Sequence, residues 1–116
     1  MRDYKKYDTW KIAHELVKEI YLISEKFPKS ELFGLTSQIR RASDSIALNI
    51  SEGSILQSNL EFKRFLGFSI RSLAEVVTCL YKAKNRNYID EQNFSEFYKE
   101  SYKLMNSMIA FRSKLD

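Results

Sequence analysis

Apolar residues recur at intervals of three and four in four separate stretches of this chain, with a single proline among them. That spacing puts each set on one face of a helix, whereas a half-buried strand would alternate by two. The first set is Trp10, Ala13, Leu16, Val17, Ile20, Ile23 and Phe27. Asp8 or Thr9 is expected to cap its start, and Phe27-Pro28 to end it, because the residue before proline is pushed out of the helical region. A connection through Ser30 and Gly34 leads to Leu35, Ile39, Ala42, Ile46 and Ile50, with Thr36 or Ser30 as the cap and Gly53 as a left-handed terminal residue.

The third set opens on Ser58 and Glu61, a capping box, and runs through Phe62, Phe65, Leu66, Ser69, Leu73, Val76, Val77 and Leu80 to the turn at Asn85-Arg86-Asn87. Asp90 precedes the fourth, which comprises Phe94, Phe97, Tyr98, Ser101, Leu104, Met105, Met108, Phe111 and Leu115. The spacing thus predicts helices over 9–27, 36–52, 59–85 and 90–114 within one domain spanning 1–116. Four amphipathic helices on short connectors make an all-α, antiparallel, up-down-up-down four-helix bundle. A chain of 116 residues is long enough to close one core, burying roughly two-thirds of its unfolded surface.

Several functions are disfavoured by what such a bundle would need. A di-metal carboxylate site requires Glu-x-x-His pairs on facing helices, and His14 is the one histidine. A zinc site fails with one histidine and one cysteine, Cys79, which sits among apolar neighbours and is read as a buried spacer. The three glycines, Gly34, Gly53 and Gly67, are too scattered to cradle a phosphate, and no cofactor is expected. A hydrolase built on His14 is the weakest alternative, since no strained nucleophile turn accompanies it. The first residues are charged and no apolar stretch reaches a membrane span, so no membrane association and a cytoplasmic location are expected.

Two patterns are left as candidate surfaces. On the second helix Gln38, Ser45, Asn49 and Glu52 share one edge beside the apolar stripe, as a polar seam that either locks the packing or meets a ligand or subunit. Residues 58–88 hold six basic groups against two acidic ones, in a chain of net charge +4. Within that stretch Arg64, Arg71, Lys82 and Arg86 fall within about 60° around the helix and span roughly 33 Å. Glu75 interrupts this basic ridge. Phe68 lies beside it, Leu48 projects away from the second helix's apolar face, and Ile70 and Tyr81 make the third helix apolar on more sides than one bundle can bury. Self-association accounts for that surplus.

Trp10 with Ala13-His14-Glu15-Leu16, Phe27-Pro28, Gly34 through Ala42, Ser45-Ile46, and Asn49 through Gly53 resemble the four-helix-bundle proteins encoded in intervening sequences of bacterial 23S ribosomal RNA genes. The likeness continues through Glu61-Phe62, Phe65-Leu66, Ser69, Ser72-Leu73 and Glu75. It implies a left-handed bundle that assembles into a homopentamer, with no catalytic residues and no settled biochemical role. Proteins similar to this family include the basic, nucleic-acid-binding accessory subunit that partners a reverse transcriptase in diversity-generating retroelements. Ala47-Leu48 stands where the family usually has Pro-Ala, and Ser54-Ile55-Leu56 replaces its usual basic residue after the Glu-Gly pair.

Weak, sequence-nonspecific binding of RNA or DNA is therefore the leading expectation, through Arg64, Arg71, Lys82 and Arg86 with help from Arg40 and Arg41. The second expectation is an assembly module whose partner is another protein.

Overall fold

The computed structural model describes residues 7–56 and 58–115. The charged segment 1–6, Gln57 and Asp116 lie outside the described residues, and with them the expectation for the N-terminus and the ends of the 1–116 domain range. Four helices follow one another: α1 (Asp8–Ser24), α2 (Leu35–Ser54), α3 (Asn59–Asn85) and α4 (Glu91–Ser113), with a 3-10 turn at Lys29–Glu31. No strand occurs among the described residues. Each helix packs on its neighbours in the chain and α1 also packs on α4, the broadest contact being between α2 and α3. The chain is thus a closed four-helix bundle, 43 × 25 × 19 Å, with α2 and α3 on one broad face and α1 and α4 on the other.

Most of its interior comes from the stripes read from the spacing, although Val17, Phe65 and Val77 of those stripes are only half-buried. Leu16, Ile20, Ile39, Ile46, Ile50, Phe62, Leu66, Leu73, Leu80, Leu104 and Met108 are all buried. Each is worth about 1.5–3 kcal/mol relative to exposure, which is how propensity-neutral sequence becomes helix. Cys79 joins them, and burial pushes its thiol up from the ordinary range, in keeping with a packing role. Tyr98 departs from expectation: it is exposed and stacks edge-on with Tyr81 outside the core. Two serines interrupt the stripes. Ser69 donates to the Ile46 carbonyl at 2.8 Å, tying α3 to α2, whereas the buried Ser101 hydroxyl has no hydrogen-bond partner among the described residues.

The helix ends depart from the sequence expectation more than the stripes do. Tyr7 precedes α1 and makes no side-chain cap, because Thr9 is already inside the helix and shares a 2.7 Å hydrogen bond with Ser107 on α4. The helix stops at Ser24, short of Phe27: Lys26 and Phe27 amides close tight turns onto Ile23 and Ser24 carbonyls, and Phe27 enters the core from the turn. For α2 the cap is neither Ser30 nor Thr36. Glu31 reaches forward and accepts from the Leu35 amide at 3.1 Å.

Gly53 is not a left-handed terminus either. The helix continues to Ser54, and among the described residues the one positive φ belongs to Asn87, at 62°, in the turn before α4. Ser58 and Asp90 do cap α3 and α4, accepting from Glu61 and Asn93 amides at 3.3 and 2.7 Å.

Candidate nucleic-acid and assembly surface

The basic ridge is built by α3, whose core face turns Arg64 and Arg71 to the opposite, exposed side. Their guanidinium carbons lie 5.6 and 5.4 Å from the centroid of the Phe68 ring between them. Such cation–π contacts orient the two heads while leaving N–H groups for an anion. Arg64 also meets Glu61 at 3.4 Å, an exposed pair of little energetic weight. Lys82 continues the ridge, half-buried, one turn from the end of α3.

Arg86 does not continue it. This residue caps α3, and its Nη1 donates to Glu31 Oε2 at 2.8 Å. The Tyr88 hydroxyl donates to the same oxygen, also at 2.8 Å, while Glu31 Oε1 holds the Leu35 amide. One carboxylate thereby joins the connector before α2, the start of α2 and the turn after α3. The Leu35 amide, the Tyr88 hydroxyl and the Arg86 charge together hold the Glu31 carboxyl below its usual range, against some desolvation.

A depressed folded pKa means that this stabilisation is present above the unfolded value, near 4.5, and is lost as pH falls through the folded one. Glu31→Gln should lower the thermal midpoint at pH 7 by about 5 °C. It should also flatten the fall of that midpoint between about pH 5 and pH 3. Scanning calorimetry across pH tests this; an unchanged acid-side slope would rule it out.

On α2, Arg40 and Arg41 part company. Arg40 donates from Nε to Ser24 at 2.8 Å and lies 4.9 Å over the Tyr21 ring, on the α1 side of the helix. Tyr21 in turn donates to Asp44 at 2.6 Å, a bond that raises its own pKa, so this cluster laces α1 to α2 and leaves Arg40 off the ridge. Arg41 is exposed on the α3 side, donating to Ser37 at 3.3 Å, and lines a shallow hollow with Gln38, Glu75, Arg86 and Phe33.

The polar seam is half a network. Asn49 Nδ2 donates to the Ser45 carbonyl at 2.8 Å and to its hydroxyl at 2.9 Å, and Ser72 on α3 donates to the Ser45 hydroxyl at 2.9 Å. Ser45, Asn49 and Ser72 therefore lock α2 to α3 within one subunit. Gln38 sits beyond this group in the hollow, and Glu52 is exposed toward the opposite end. Ser72 was not foreseen, although a small polar residue on the α2-facing side of α3 is the signal that could have found it.

Exposed apolar groups are present on several faces. Leu48 is 57% exposed on α2, and Tyr81 packs against Phe94 on the α4 side. The most exposed is Phe33, at 95%, in the connector before α2, where no periodicity could mark it. His14 is exposed and stacks on Trp10 with centroids 4.9 Å apart. Among the described residues no group of three or more His, Cys, Asp or Glu side chains is placed to hold a metal ion. No helix there is long and apolar enough to cross a membrane.

The same fold is found in the crystal structure of a protein with unknown function from the S23 ribosomal protein family of Bacteroides thetaiotaomicron VPI-5482. The two superpose with a TM-score of 0.83 at 20% identity, over 90% of this chain and 97% of that one. No curated protein matches significantly. The family model described as 23S rRNA-intervening sequence protein matches residues 5–110, nearly the whole bundle just described, and the chain belongs to that family.

Proposed function

We propose that this protein is a non-catalytic, self-associating bundle of the cytoplasm that binds RNA or DNA weakly and without sequence preference. The observation that carries this is the pair Arg64 and Arg71, held exposed on either side of Phe68 along the outermost ridge of α3. Lys82 extends the positive surface, whereas Arg86 is committed to Glu31 and Arg40 to Ser24. About three phosphate contacts are the most such a surface supplies. They give a dissociation constant on the order of 10⁻⁴–10⁻⁶ M at physiological salt and a log–log salt slope of about −3.

Fluorescence anisotropy of a labelled oligonucleotide, titrated from about 20 to 200 mM salt, is the direct test. Replacing both Arg64 and Arg71 with Glu should weaken binding at least ~10-fold and bring the slope to about −1. Arg86→Glu should change it far less. Binding that ignores salt, or survives the double reversal, would discard the proposal.

A second function is supported by Phe33 and Leu48, apolar groups that a monomer leaves in water: an assembly module that docks a protein partner. Five is the number of self-associated copies we propose, on the strength of the resemblance alone, and sedimentation of the purified chain measures it.

A further inference from the structure

Phe33 shares its hollow with Arg41, on the α2–α3 face, at the pole where α1 ends and α2 begins. On the opposite face, the last turns of α1 and the first turns of α4 leave a groove of about 380 Å³. Leu22, Ile23 and Phe97 line it with apolar surface, and Glu19, Glu96 and Glu100 with carboxylates. Lys26 is the one cation among its lining residues. The Glu19 carboxyl is pushed above its usual range by burial and by Glu100, Glu15 and Glu96, so like charges crowd here with too little positive charge to relieve them.

We infer that Phe33 of one copy inserts into the α1–α4 groove of a second copy, with the Arg41 guanidinium set against the carboxylates of Glu19, Glu96 and Glu100. This rests on the self-association proposed above and names its two surfaces. Both lie at the same pole of the bundle and on opposite faces, so copies stand side by side with like poles together. The contact is head-to-tail, each copy giving a ring and receiving one. Apolar anchor and charge match are supplied by the one chain, which is why a second copy is the occupant.

Two exposed positions allow a test that leaves the core intact: Phe33→Asp removes the anchor, and Leu22→Asp, at a residue 56% exposed, spoils the groove. Thermal melts of each variant should stay near that of the parent chain, and Arg41→Glu provides a third probe if either fails to fold. By sedimentation the parent should be assembled. Each variant alone should self-associate at least ~30-fold more weakly, the effect of a hot-spot side chain. An equimolar mixture of the two should form dimers and nothing larger, because one intact anchor and one intact groove remain.

A parent chain that is monomeric at every concentration overturns both the self-association and the docking. A parent that assembles while Phe33→Asp assembles equally well overturns the docking alone. Variants that dissociate but never pair when mixed show a symmetric contact, which also overturns it. So does Phe33→Asp losing oligonucleotide binding at unchanged mass, since that would place the ring on the nucleic-acid surface.

Discussion

Phe62→Ala should lower the unfolding free energy by about 3–5 kcal/mol, the usual result of emptying a fully buried aromatic site. The ring is completely inaccessible, packs edge-on against Phe111 at 5.3 Å between centroids, and lies 6.2 Å from Tyr7. It therefore fastens the start of α3 to the opposite ends of α1 and α4. Domains of this size are stable by only about 5–15 kcal/mol, so the variant sits close to unfolding at ambient temperature. Urea titration at unchanged m-value measures the loss. A cost below ~1.5 kcal/mol would mean that the neighbouring rings collapse into the space and that Phe62 is not the fastening described.

Gly53→Ala should also destabilise, by about 1–3 kcal/mol, although an alanine inside a helix ordinarily gains up to ~1 kcal/mol over glycine. The reason is a close crossing of α2 and α3. A Cβ on residue 53 would stand 2.8 Å from Phe62 Cδ1 and 2.8 Å from Phe65 Cβ. The second of these is fixed to the α3 backbone, so the helices themselves must separate. Because Phe62 forms the other wall, Phe62→Leu combined with Gly53→Ala should cost less than the sum of the two single changes. Denaturant titration of all four chains gives that coupling; an alanine at 53 that stabilises would refute the crossing.

These two residues show where the sequence was legible and where it was not. Phe62 was readable because a threefold and fourfold apolar rhythm reports burial directly, and the same rhythm located all four helices. Local chemistry points to Gly53 as a helix end, since glycine past an apolar stripe commonly adopts the left-handed conformation. Its true reason is an approach between two helices, which no single stripe encodes. Helix ends failed in the same way at α2: Glu31 caps the Leu35 amide from four residues upstream, whereas the local rule pointed to Ser30 or Thr36.

The basic ridge divides along the same line. Helical geometry places Arg64, Arg71 and Lys82 on one side of α3 correctly, but angle around a helix says nothing of what arrives from elsewhere in the chain. Glu31, 55 positions away, takes Arg86 out of the ridge. Ser24 likewise takes Arg40. Of the seam, Ser45 and Asn49 found each other through an i, i+4 spacing, and the missing third member came from α3.

The order in which helices touch bears on how the molecule comes together. Three of the four helix pairings join segments adjacent in the chain and need only a short loop to close, whereas the pairing of α1 with α4 must bring together stretches some eighty residues apart. Loop-closure entropy therefore favours making that pairing after the other three. The groove lined by Glu19 and Phe97 lies on it. A molecule settling into that groove would span that pairing and keep the two ends of the chain from drifting apart.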